Sequence, residues 1–387
     1  MAERVTEEPV AARYLRLGLQ LGRHDDGVVD AYFGPPELAA QVEAAAPVAP
    51  ARLVTDAEAL LAELGEGWLG DQVTALRAFA GVLAGETWSY ADEVQACYGV
   101  RPVFTGEDVF AAAHEQLEGL LPGSGPLGER YQRWRGSMLV PAEQMERTFA
   151  AAIEEARSQT QRLVELPAGE RVVLETVSEV PWLGYNFYQG NLCGRVAINA
   201  SVSKSAVELL DLALHETYPG HQAERASKEH LLVRERGMAE ETLVLAFTPQ
   251  SVISEGIARL APQILLEGEG QAAFADIARD AGVEIDLDHA LAIEAAIGPC
   301  EWAQVNAALM LHEGDASPDE ARQYLQRWAL LAPDLADHVV RFITEPSSRT
   351  YVIAYPAGLQ LCRAFVAGDA GRFRRLLTEQ LRISDLR

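Results

Sequence analysis

The sequence predicts a mainly α-helical fold with one small β-sheet, and three observations carry that prediction. Apolar residues recur at three- and four-residue spacing through roughly the first 165 residues and again from about Val202 onward, the period of a helix face. Between these regions, Arg171 to Asn199 is rich in β-branched and aromatic residues and is punctuated by glycine, as short strands are. Prolines stand at the heads of several periodic runs, where a first helical turn tolerates them.

In order along the chain, Val10 to about Leu21 repeats apolar positions at three and four, and Pro35-Pro36-Glu37 opens a second helical stretch. Pro47 to Pro50 reads as a loop, and Asp56 to Leu64 as an alanine- and leucine-rich helix. A helix over Thr105 to Leu121 should end at Pro122-Gly123-Ser124-Gly125-Pro126. Pro141 to about Leu166 is the longest periodic run of this half, with a charged solvent face. Arg171 to Val177, the aromatic segment from Pro181 to Asn191 and Arg195 to Asn199 read as two or three strands. Later helices are expected at about Met238–Ala246, Gln250–Glu267, Gln271–Ala281 and His289–His312, with Pro262 and Pro299 kinking or splitting two of them. Further helices start at Pro318 and Pro333, and the last two run about Pro356–Ala367 and Ala370–Ile383. Residues 1–168 form an N-terminal helical region and 169–387 a second region, read as one continuous fold with a cleft.

The chain has 387 residues, 49% hydrophobic and 23% charged, ample for a packed core. Its formal net charge of −25 argues against nucleic acid and anionic membrane surfaces as partners, since both need a basic footprint. The four cysteines, Cys97, Cys193, Cys300 and Cys362, are far apart and form no Cys-x-x-Cys pair, so they read as free thiols. The first residues, Met-Ala-Glu-Arg-Val-Thr-Glu-Glu-Pro, lack the apolar core of a signal peptide, and no apolar run reaches the length of a membrane span. A soluble, cytoplasmic protein is the expectation.

The chemistry concentrates in Leu212-Ala-Leu-His215-Glu216-Thr-Tyr-Pro219-Gly220-His221. A His-Glu pair followed by a returning histidine is the pattern in which imidazoles hold zinc and the glutamate acts as general base. The usual spacing of four puts both histidines on one helix face; here the second follows the first by six. At about 100° per residue an unbroken helix would turn His221 roughly 120° away. Pro219 and Gly220 can distort it, the one by withholding a backbone donor and the other by tolerating unusual angles. They are therefore read as a bulge that returns His221 to the side of His215.

A catalytic zinc takes three protein ligands. Glu255, among apolar neighbours at the start of a helix, is the best third ligand, with Glu224 and the pair Glu240/Glu241 as alternatives. Asp211, one turn before His215, either supports that histidine or lies on the surface. In the C-terminal Arg349-Thr-Tyr351-Val-Ile-Ala-Tyr355-Pro356, Tyr351 or Tyr355 could donate to an oxyanion, and Arg349 could hold a substrate carboxylate.

Together, His215-Glu216-Thr-Tyr-Pro219-Gly220-His221, Ser254-Glu255-Gly256 and Arg349-Thr-Tyr351 through Pro356-Ala-Gly-Leu resemble a bacterial family catalogued as domain of unknown function 885. Its members look like helical zinc peptidases in the style of the thermostable carboxypeptidases and angiotensin-converting-enzyme-like enzymes. The resemblance covers roughly residues 180–370. It implies a large helical zincin-like domain with a small sheet beside the active-site helix. It also implies a zinc-dependent hydrolase with zinc on His215, His221 and Glu255, Glu216 as base, and a peptide or other amide as substrate. A metal-binding protein without hydrolytic activity and an acidic helical interaction scaffold are the alternatives.

Overall fold

Proline occupies the first position of helices Pro36–Ala44, Pro50–Glu63, Pro249–Leu266, Pro318–Trp328 and Pro333–Thr344, where its missing N–H would have had no helical partner. The computed structural model describes residues 8–180, 182–267 and 270–387. The N-terminal stretch read for a signal peptide, Pro181 and residues 268–269 lie largely or wholly outside the described residues. The fold is mainly α, with five short strands among the described residues: β1 (Val29–Tyr32), β2 (Arg171–Val177), β3 (Gly184–Tyr188), β4 (Cys193–Asn199) and β5 (Leu243–Leu245). No helix among the described residues is long and apolar enough to cross a membrane.

The first half consists of the helices its periodicity predicts and three it does not: Trp68–Leu83, Tyr90–Tyr98 and Leu127–Gly136. Trp68–Leu83 is buried on more than one face, which hides the polar–apolar alternation that marks a surface helix. In the middle segment β4 is central, parallel to β2 and antiparallel to β3. The helix expected over Met238–Ala246 is instead a single turn, Ala239–Thr242, running into β5, which pairs with β1. Strand pairing across the fold overrides local helical propensity there. The run His289–His312 is split at Pro299 into Leu287–Ile297, the tight turn Gly298–Glu301 and Trp302–His312. Pro262, by contrast, lies within an uninterrupted helix. All four cysteines are buried and unpaired.

One hydrophobic cluster runs from Tyr14 to Leu386 and ties both halves together. At its centre, helix Pro249–Leu266 crosses helix Ala354–Val366 at a glycine contact. A Cβ on Gly256 would stand 2.3 Å from the Gly358 carbonyl oxygen, and one on Gly358 2.2 Å from that of Val252. This close approach sets Tyr351 and Tyr355, at the head of the second helix, beside Glu255 on the first. Gly256→Ala must push two backbones apart. The expected loss is about 3 kcal/mol, the upper end of ordinary single substitutions, read as a lower urea midpoint with an unchanged slope.

Candidate metal centre

Helix Ala206–Glu216 starts at a capping box, in which Ser205 accepts from the Glu208 N–H and Glu208 reaches back to Ser205. Its apolar side, Leu209, Leu210, Ala213 and Leu214, is buried and fixes which way its last turn faces. The helix does not merely bulge at Pro219-Gly220, as the sequence suggested. It stops at Glu216, Thr217 leaves helical conformation (φ −122°, ψ −87°), and a new helix, His221–Lys228, begins. The reversal is tight: the Gly220 N–H reaches back to the Leu214 carbonyl (3.2 Å), and a Cβ on Gly220 would stand 2.0 Å from the His215 carbonyl oxygen. Only glycine fits. The outcome is that the two imidazoles meet nearly at right angles, with ring centroids 4.8 Å apart.

Glu255, in the second turn of helix Pro249–Leu266, completes the group. One ligand atom each from His215, His221 and Glu255 lie within 4.8 Å of one another. His215 Nε2 is 3.6 Å from Glu255 Oε2, and His221 Nε2 is 3.8 Å from Oε1. These separations exceed a hydrogen bond. They are close to the roughly 3.3 Å expected between ligands that each sit 2.0–2.1 Å from a tetrahedral zinc.

Ser254 Oγ donates to Glu224 Oε2 (2.6 Å), so toward His221 Nδ1 (3.1 Å) it can only accept. The His221 proton therefore sits on Nδ1, and Nε2 presents a lone pair to Glu255. Burial holds His215 neutral, its pKa well below the ordinary value, and the nearness of His221 and the Arg259 charge add to this. Burial, then Arg225, lowers His221 to about 3. Tyr351 donates to Glu255 Oε1 (2.7 Å), while the buried Oε2 has no hydrogen-bond partner among the described residues. The His221 nitrogen and both Glu255 oxygens thus converge beside His215 Nε2, with Tyr351 the donor bonded to them among the described residues, an arrangement that a cation satisfies. The residues fit zinc.

Glu216 lies at the end of the first helix, 7% exposed. Burial, then the neighbouring Glu255 carboxylate, raise its pKa to about 8, against opposing pulls from Arg225 and an Asn186 backbone hydrogen bond. Asn186, on β3, also donates its side-chain amide to the Glu216 carbonyl (2.7 Å). Arg225 is bound in turn to Asp30, to which Tyr185 also donates. None of Asp30, Asn186 and Arg225 was singled out as functional from sequence. They belong to three distant segments that only the fold unites.

The other expected residues divide. Tyr351 is committed to Glu255, whereas the Tyr355 hydroxyl has no hydrogen bond among the described residues and faces Glu255, Glu216 and Arg259. Arg349 is bonded to Glu93 of helix Tyr90–Tyr98, so the expectation that it clamps a substrate carboxylate gives way to a structural tie. Glu224 stands behind His221, bonded to Ser254, Lys228 and Gln250, rather than among the ligands. Glu241 accepts from Gln380. Asp211 makes no hydrogen bond to His215 among the described residues. It faces Arg259, which the sequence reading missed and which lies one turn after Glu255, bonded to Glu301 (2.8 Å).

No family model matches the chain. No curated protein matches it either. Among solved structures, it is similar to "the putative lipoprotein from Colwellia psychrerythraea" (TM-score 0.53, 15% identity, 87% of this chain and 61% of that one). It is also similar to "a putative lipoprotein of unknown function from Shewanella oneidensis" (TM-score 0.53, 12% identity, 95% of this chain and 68% of that one). The chain therefore spans under two thirds of the first structure's length. At such identities the likeness is one of fold. Both descriptions are at odds with the cytoplasmic expectation, and it is withdrawn.

The Ser254 relay carries a direct consequence. Ser254→Ala removes the acceptor that fixes the His221 tautomer while leaving all three candidate ligands in place. Zinc affinity should fall about tenfold, the low end for partners of metal-binding histidines, as measured by competition with a chromogenic chelator.

Proposed function

We propose that the chain is a zinc-dependent hydrolase of peptides or other amides, with His215, His221 and Glu255 as the metal ligands and Glu216 as general base. The resemblance to the domain of unknown function 885 belongs to this proposal. The observation that carries it is the convergence of two neutral imidazoles on a buried carboxylate whose Oε2 has no hydrogen-bond partner among the described residues. Bound there, zinc would supply Lewis acidity toward a carbonyl and make a water more acidic.

The remaining work falls to the chain's own side chains. Glu216 is held by Asn186 and adjoins the ligand set, so its carboxylate can take a proton from a water and return it to a leaving amine. Its pKa, raised to about 8 by burial and by Glu255, would fall with a dication beside both carboxylates, which would keep Glu216 ionised for that exchange. Tyr355 supplies the unengaged hydroxyl for a developing oxyanion, the task earlier shared between it and Tyr351.

A substrate backbone has an edge to pair with. In β3, Leu183 and Gln189 bond across to β4, so the backbone groups of Gly184, Asn186 and Tyr188 turn outward. The Asn186 carbonyl is taken by Arg225 (3.4 Å), but Gly184 carries no hydrogen bond of its outward groups among the described residues. An extended peptide added at Gly184 would lie beside helix Ala206–Glu216.

Elemental analysis should find about one zinc per chain, the content of a three-ligand catalytic site. It should be lost in His215→Ala and in Glu255→Ala. Glu216→Gln should keep the zinc and lose about 10²-fold or more in kcat on a cleaved peptide, the usual worth of a general base. Wild-type protein that stays metal-free after zinc is supplied would sink the proposal. Full zinc in Glu255→Ala would move the third ligand elsewhere.

A further inference from the structure

We infer that helix Tyr90–Tyr98 is a positioning element for Glu255, acting through the turn Arg349–Tyr351. This rests on the reading of Glu255 as a zinc ligand and assigns a role to residues outside the site.

The contacts form a continuous chain. Tyr90 donates its hydroxyl to the Arg349 carbonyl (2.9 Å). One turn on, Glu93, 5% exposed, is bonded to the Arg349 guanidinium. Farther along the same helix, the Tyr98 hydroxyl is 3.3 Å from Thr350 Oγ1. Backbone and side chains of two consecutive residues are therefore gripped by one helix. The next residue is Tyr351, whose hydroxyl donates to Glu255 Oε1 (2.7 Å) and whose ring meets the edge of Tyr98.

The gripping helix is itself anchored. Tyr90 stacks on His312 at 4.8 Å between centroids, and the Ala91 N–H donates to Glu313 (2.7 Å) at the end of helix Trp302–His312. Glu93 is buried and its side chain bonds to Arg349 alone among the described residues, so removing its charge loosens that turn before anything else. With the turn loose, the Tyr351 hydroxyl no longer selects one orientation of the Glu255 carboxylate. The ligand then loses preorganisation, not identity.

A double-mutant cycle on the full chain tests this, with zinc as the probe and a competing chelator as the readout. Tyr351→Phe should weaken zinc about tenfold, as loss of a ligand's hydrogen-bond partner does. Glu93→Gln should weaken it about threefold, within the range of coupling through one intermediary. The two together should be no weaker than Tyr351→Phe alone. A residue that only stabilised the fold would lower the urea midpoint without changing the zinc affinity of folded protein.

Unchanged affinity in Glu93→Gln overturns the inference, as does a Glu93→Gln loss that persists in full beside Tyr351→Phe. Should Glu93→Gln fail to fold, Tyr90→Phe removes one hydrogen bond and keeps the ion pair. It should cost about twofold, again absent beside Tyr351→Phe, and an unchanged or fully additive result there overturns the inference equally. Wild-type protein without zinc overturns the ligand reading of Glu255 and this inference with it. Zinc bound normally by wild type and by Glu93→Gln overturns the positioning role alone.

Discussion

Glu255 has one oxygen bonded to Tyr351 and another with no donor, and both face imidazole nitrogens. Withdrawing an ionised carboxylate from water costs several kcal/mol even after the protein relaxes. Burial, with a smaller push from Asp30, raises its pKa to about 7, against Tyr351, Arg259 and Arg225. A second carboxylate, Glu216, is held nearby, and each makes ionisation of the other harder. Two acids and two neutral histidines in one dry corner make a poor core. They are consistent with a centre whose missing positive charge comes from outside the polypeptide.

The surrounding structure is arranged to keep that corner from relaxing. The close crossing at Gly256 and Gly358 fixes Tyr351 and Tyr355 against Glu255. The reversal at Gly220 fixes one histidine against the other. The Glu224–Ser254–His221 relay fixes a tautomer. Each device removes a way in which a ligand atom could turn toward a protein donor. On the proposed reading, such a site would carry its cost in the folded chain and receive the ion without rearrangement.

Much of this was legible in the sequence where the signal was local. His215, Glu216, Pro219, Gly220 and His221 lie within seven positions, and the Pro-Gly pair announced a break between the histidines. Glu255 could be picked out because an acid among Val252, Ile253 and Ile257 needs a partner. The break itself was underestimated: a full stop and restart depends on a backbone path that helical geometry cannot foretell. Non-local parts were illegible. Asp30, Asn186 and Arg225 become neighbours only through the packing of β1, β3 and helix His221–Lys228. Helix Tyr90–Tyr98 was missed altogether, because its tyrosines and Glu93 face protein rather than forming an apolar stripe. Arg349 looked like a free cation because its partner lies 256 residues earlier in the chain.

The charges just beyond Glu255 bear on what the proposed site could hold. Arg259 is the cation one turn from Glu255, yet it is bonded to Glu301 and faces Asp211. Farther along the same wall, burial, then Asp211, hold the Glu294 pKa up at about 7. Arg135, the other cation there, is bonded to Glu208. Carboxylates outnumber guanidinium groups on this wall, so Arg259 is largely neutralised before any ligand arrives. A free substrate carboxylate would have to compete with Glu301 for that guanidinium while meeting the field of Asp211. An uncharged backbone laid along the outward face of Gly184 meets neither obstacle. For the proposed hydrolase, pairing along β3 would therefore be the stronger source of substrate affinity on electrostatic grounds, and recognition of a terminal carboxylate the weaker.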